Sequence, residues 1–211
     1  MIRIAHFGTF DVNNYGDLLF PYVAEYRLPH YEWEHISPTE NKTIFNDSLP
    51  VLSFDRAVNR NYNAILIGGG NIIHLKHNKS TVYNNIDGFA YADLWVGAAK
   101  LAMKQNIPYV FNAPGISQRF VEKFHKTIAF STFKYSNYIA FRERFSVKLA
   151  KAVEEGRESD KVSYKVVPDT AFEIDKIWPL ETKTLPEYIS VNLNERYHKP
   201  IELTAMHLDR I

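Results

Sequence analysis

Four short strings in this chain carry residue types that can do chemistry. The first is Gly8-Thr-Phe-Asp-Val-Asn-Asn-Tyr-Gly16-Asp17. Asn14 and Gly16 suit a tight turn or a positive φ. Asp17 has two uses. It can cap the helix that follows, or it can stand where a helix N-terminus offers N–H groups to an anion or a sugar hydroxyl. The second string is Gly68-Gly69-Gly70-Asn71. Its glycines make a tight turn or bring backbone close to a ligand. The third, Asn112-Ala-Pro-Gly115-Ile-Ser-Gln118, offers Gly115 at a turn. There Ser117 or Gln118 can hold a hydroxyl or cap a helix. The fourth is Arg142-Glu143-Arg144-Phe145-Ser146. The planar fork of Arg142 matches a carboxylate or phosphate, or it pairs with Glu143 or Asp169. His74 is a lone loop histidine, a solvated side chain or a proton carrier.

These strings exclude some functions. The G-x-G-x-x-G spacing of a dinucleotide fingerprint is not met, and no G-K-[ST] follows the glycines. With Cys 0 there is no disulfide framework, thiolate zinc site or cysteine nucleophile. Lys and Arg (25) balance Asp and Glu (24), so nothing marks a nucleic-acid binder. The N-terminal MIRIAHFGTFDVN does not read as a signal peptide. No run approaches the ~18 apolar residues of a membrane span. The 13 Tyr and 14 Phe suit a core and also a surface that stacks against sugar rings.

The elements that must position these loops follow from periodicity. Ile2 to Phe7, Glu32 to Ile36, Ala64 to Ile67, Tyr109 to Phe111, Tyr138 to Phe141 and Tyr164 to Val167 read as strands. The second is the weakest and reads as an edge. Helices are expected from Asp17 to Leu28 with Pro21 in the first turn, and from Asp93 to Gln105. Another is marked by Phe120, Phe124 and Ile128, and one from Glu143 to Val153 has Phe145 inward. Residues 38–50 read as loop and 74–87 as a long mobile loop.

Strands alternating with helices predict an α/β fold, Rossmann-like and doubly wound, with a mainly parallel sheet and helices on both faces. All four strings then sit at strand carboxyl ends, where such sheets bind ligands. Residues 1–178 form this domain, 179–187 (PLETKTLPE) read as a linker, and 188–211 as the start of a truncated second domain. Its elements are a strand at Tyr188–Asn192 and a helix at Ile201–Ile211.

Taken together, the strings resemble the polysaccharide pyruvyl transferase family. Asn14-Tyr15-Gly16-Asp17, Gly68 to Asn71, Arg142-Glu143-Arg144-Phe145-Ser146 and Pro168-Asp169 match its motifs in order and spacing over about residues 1–175. Two departures stand out. No Arg-Leu-His string is present, and Asn112-Ala-Pro-Gly115 replaces the more usual Gly-Gln-Gly-type turn. The resemblance implies the N-terminal half of a two-domain enzyme similar to GT-B glycosyltransferases. It implies transfer of a pyruvyl group from phosphoenolpyruvate to sugar hydroxyls, usually as a cyclic ketal. In that reading Arg142 holds the donor, and Asp17 and Asp169 are candidates for acid and base, with His74 third. Asn14, Gly16, Gly68, Gly69, Gly70, Asn71, Gly115 and Gln118 line the substrate site. No cofactor is expected, since phosphoenolpyruvate is the donor substrate. The expected partners are a sugar or lipid-linked oligosaccharide acceptor and the rest of the second domain, with an oligomer permitted. The expected location is the cytoplasm, with the inner face of the membrane as an alternative. The competing readings are a nucleotide-sugar glycosyltransferase of similar architecture and a non-catalytic carbohydrate-binding module.

Overall fold

A computed structural model describes residues 1–40, 46–156 and 162–179. Seven strands form one sheet: β1 (Arg3–Phe7), β2 (Glu32–Ser37), β3 (Val51–Ser53), β4 (Ala64–Gly68), β5 (Tyr109–Asn112), β6 (Tyr138–Phe141) and β7 (Lys165–Val166). Their order is β3-β2-β1-β4-β5-β6-β7, and every pairing is parallel. The α/β, Rossmann-like reading therefore holds. The domain described lies within the compact unit Met1–Pro179. The expected linker beyond Pro179, the strand at Tyr188–Asn192 and the helix at Ile201–Ile211 lie outside the described residues.

Sequence alternation explains why this sheet has two different faces. Ala5, Phe7, Ile65, Ile67, Tyr109, Phe111, Ile139 and Phe141 share one face and belong to the main core. Helix α3 (Ala90–Ala92), a π-helical stretch (Asp93–Gly97) and α4 (Ala98–Gln105) run on into one another. They pack on this face with α5 (Lys123–Lys134) and α6 (Arg144–Lys151). Trp95 and Phe133 meet there at 5.9 Å between ring centroids, both fully buried. Truncating Phe133 to Ala would cost about 3–5 kcal/mol. The opposite face carries His6, Leu66 and Val110 under α1 (Tyr15–Arg27). Right-handed crossovers account for the split. The chain moves one way from β1 to β3 and the other way from β4 to β7, so the two sets of helices fall on opposite faces.

Several local expectations are corrected. The edge beside β2 is β3, a three-residue strand directly after the stretch read as loop, where no element was expected, followed by the short α2 (Phe54–Ala57). Helix α1 starts at Tyr15 with Asn14 at the N-cap, so Pro21 lies in its interior. Lacking an N–H, Pro21 leaves the Asp17 carbonyl without its usual helical donor. Phe124 and Phe145 are exposed by 71% and 60%, and the buried faces instead use Phe130, Phe133, Ser146 and Leu149. The spacing of Phe120, Phe124 and Ile128 misled because Phe120 precedes α5 and reaches the main core from a loop, beside Trp95, so the three do not share one helical face. Residues 74–87 are not a loose excursion: His74, Asn78 and Tyr83 are buried, and Asn78 bonds back to Ile86 and Ala90.

Candidate active site

The strand order reverses between β1 and β4, and their carboxyl ends open a crevice there. Five loops reach this rim, and Arg142 joins three of them. Its guanidinium donates to Asp169 Oδ2 at 2.9 Å and to Asn71 Oδ1 at 2.6 Å. The side chains of Arg142 and Asp169 remain 23% and 24% exposed. Arg142 thus has the structural partner Asp169 and also faces an open cleft of about 490 Å³. Asn14, Gly16 and Asp17 share that cleft with Arg142, Asp169 and Phe172.

The sequence explains why these groups stay in place. Asp169 uses its other oxygen to accept from the Ala171 N–H at 3.0 Å, capping a 3₁₀ turn at Thr170–Glu173. That turn leads into α7 (Ile174–Ile177). Ser146 is fully buried and accepts from the Ile116 N–H at 2.9 Å while donating to Glu143 at 2.9 Å. The Arg-Glu-x-x-Ser string therefore ties the start of α6 to the loop after β5. Glu143 serves that tie and is not the partner of Arg142. The same loop bends through Ala113, which sits at φ 58, a left-handed conformation that costs a non-glycine residue energy.

Glycines bring the rim together by omission of a side chain. A Cβ on Gly115 would lie 2.0 Å from Asn71 Oδ1 and 3.1 Å from Arg142 Nε. Gly70 has φ +64, and a Cβ there would lie 2.8 Å from Asp17 Oδ1. Gly68 and Gly69 pack in the same way against the Asn112 carbonyl and the Phe20 ring. The triple-glycine turn is thus filled by the protein's own atoms. It sets the close approach of Asp17 to the β4 loop.

Asp17 is the third residue of α1 and does not cap it, contrary to one sequence reading. Its Oδ2 accepts from the Thr9 hydroxyl at 3.0 Å and from Asn14 Nδ2 at 2.9 Å. Among the described residues no donor is bonded to Oδ1. Burial pushes its carboxyl above the ordinary range. The two hydrogen bonds and the Arg142 charge pull the other way, and Asp169 adds to the rise.

Behind Asp17 lie groups the sequence did not single out. The Asp11 carboxylate accepts from the Thr39 N–H at 2.8 Å and from the Tyr83 hydroxyl, tying residues 74–89 to the β1 loop. Burial, then the charges of Asp17 and Asp11, push Tyr91 up to about 12. His74 stacks on Tyr91 at 4.1 Å, and its Nδ1 accepts from the Lys76 N–H. Burial, then Lys76, hold it down to about 4, so it is a neutral packed side chain. Only the buried end of this network, His74, carried a sequence signal. Thr9 and Asp11 could have been found from their place directly beyond β1.

Of the expected site residues, Asn14, Gly16, Asp17, Arg142 and Asp169 line one cleft, and Asn71 and Gly115 support it through Arg142. Gln118 is not among them. It lies in a separate groove with Arg119, Phe145 and Lys148, because the loop turns onto α6 after Ile116.

A family model described as polysaccharide pyruvyl transferase matches residues 10–209, nearly the whole chain. The chain belongs to the polysaccharide pyruvyl transferase family. All the cleft residues fall within the matched span. No curated protein matches the chain in sequence. Among solved structures it is similar to a DJ-1 superfamily protein from Agrobacterium tumefaciens. The two are 15% identical over 100% of both chains, with a TM-score of 0.42. Among the described residues, no helix is long and apolar enough to cross a membrane.

Proposed function

We propose that this rim binds phosphoenolpyruvate and transfers its pyruvyl group to two hydroxyls of a sugar in a cell-surface polysaccharide. The observation that carries this reading is the pairing of opposites across one cleft. A partly exposed guanidinium, fixed by Asp169 and Asn71, shares the cleft with a carboxyl raised by burial.

Phosphoenolpyruvate brings a carboxylate and a phosphate, and Arg142 supplies a fixed fork for one of them. Transfer needs a proton on the methylene carbon, which makes C2 electrophilic. Asp17 suits that step because its environment favours the protonated form and leaves Oδ1 without a donor. One sugar hydroxyl adds to C2, phosphate departs, and the second hydroxyl closes the ketal. Of the two hydroxyl protons lost, one balances the new methyl group and the other leaves with phosphate. Asp169 is better suited to holding Arg142 than to proton transfer, since both of its oxygens are already engaged.

The test offers the full-length enzyme a sugar acceptor with either phosphoenolpyruvate or a nucleotide-sugar. Acceptor-dependent phosphate release from phosphoenolpyruvate is expected. Turnover of the nucleotide-sugar alone would replace this reading with a glycosyltransferase.

A further inference from the structure

We infer that the surface formed by residues 117–126 and the outer face of α6 docks on an anionic lipid bilayer. An open groove of about 620 Å³ runs between Arg119 and the α6 side chains Phe145, Lys148 and Lys151. Lys126 reaches Glu155 at 3.6 Å, which keeps the start of α5 against the end of α6. In the chain between Arg119 and Lys126 stand Val121 and Phe124, 76% and 71% exposed, and Phe145 lines the groove itself, 60% exposed. Folding buries the other side of α6 through Ser146, Leu149 and Ala150, so Phe145 is left out by position. Exposed aromatic side chains on segments this rich in lysine suit an amphipathic contact.

The charges around them choose the partner. Helix α6 reads RFSVKLAK and contains no acid. Arg119, Lys148 and Lys151 are in no ion pair among the described residues. Of the acids nearby, Glu143 is held by Ser146, Glu155 at the groove by Lys126, and the exposed Glu122 faces His125 at 3.7 Å. The chain as a whole carries only +1, so this cationic face is local. Aromatic side chains set among lysines match the layering of a bilayer surface, with acyl chains below and anionic headgroups above. The face also adjoins the catalytic rim, since Arg144 and Phe145 directly follow Arg142 and Glu143. A sugar acceptor carried on a lipid would reach the cleft without leaving the surface.

The experiment sediments the full chain with vesicles of phosphatidylcholine, with and without phosphatidylglycerol, across a salt series. Binding is expected only with phosphatidylglycerol and should be lost at high salt. Lys148→Gln with Lys151→Gln should weaken it about 25-fold, each lysine contributing roughly fivefold. Phe124→Ser with Phe145→Ser should weaken it further at every salt concentration. Thermal unfolding checks that the variants remain folded. If the phenylalanine variant unfolds, the exposed lysine pair decides alone. Failure to sediment with anionic vesicles, equal sedimentation with neutral ones, or wild-type binding by the lysine variant overturns the inference. So does binding confined to an acidic protein surface. None of these readouts depends on pyruvyl transfer.

Discussion

Asn71 and Arg142 meet at 2.6 Å directly over Gly115, and the contact exists because Gly115 has no side chain. Its φ is not positive, so alanine fits the backbone there and only the neighbours object. Gly115→Ala is expected to displace Asn71, raise the KM for phosphoenolpyruvate about tenfold and cost about 1–3 kcal/mol of stability. Adding Asn71→Ala removes the clashing oxygen. The double variant should therefore lose less than the sum of the two single changes. Additive losses in steady-state kinetics would show that the two residues act separately.

Arg142→Lys keeps the charge and loses the fork that serves Asp169 and Asn71 together. Donor affinity should fall about 10- to 100-fold, the range for hydrogen bonds to charged groups. Isothermal titration with phosphoenolpyruvate measures it. Unchanged affinity would remove Arg142 from the donor site.

Asp17→Asn should separate activity from stability. Removing the proposed proton donor is expected to lower kcat about 10²- to 10⁴-fold. The native fold raises the carboxyl of Asp17, chiefly by burying it. Its ionised form therefore weakens the fold at neutral pH, whereas protonation in acid relieves the cost. The variant should melt higher than wild type at neutral pH and lose that advantage as the pH falls toward the ordinary carboxylate value. A melting series over pH tests both signs.

His74 predicts acid sensitivity from a buried base. Burial holds its imidazole down to about 4 against an ordinary 6.5, so the fold must stay neutral where the unfolded chain takes a proton. The stability present above about pH 6.5 should be lost progressively down to about pH 4, by about 3 kcal/mol in all. His6, also lowered by burial and by His35, adds in the same direction. Urea unfolding at stepped pH should therefore show a shallower acid slope in His74→Gln, with a residual slope from His6.

Much of the rim was legible because turn residues announce themselves. Gly16, the three glycines and Gly115 mark strand ends, and parallel topology puts strand ends together. The role of each glycine was not legible. At Gly68, Gly69, Gly70 and Gly115 the omitted Cβ makes room for a residue distant in sequence, such as Phe20 for Gly69 or Asn71 for Gly115. Periodicity failed where tertiary packing decided. Phe124 and Phe145 have core-like spacing but face outward, and β3 is too short to show a pattern. Pro21 misplaced the start of α1 because it was assumed to need the first turn, whereas the helix begins at Tyr15 after Asn14, whose side chain bonds Asp17 and does not cap.

The pairing of Arg142 with Asp169 also sets a timetable for biosynthesis. All seven strands and both glycine turns are synthesised before the carboxylate that steadies the guanidinium. A nascent chain ending short of Asp169 can hold most of its core while its guanidinium still lacks that counter-ion. The proposed anion cradle is therefore finished only after the last strand, so an anion captured there would stabilise the finished product over every shorter intermediate.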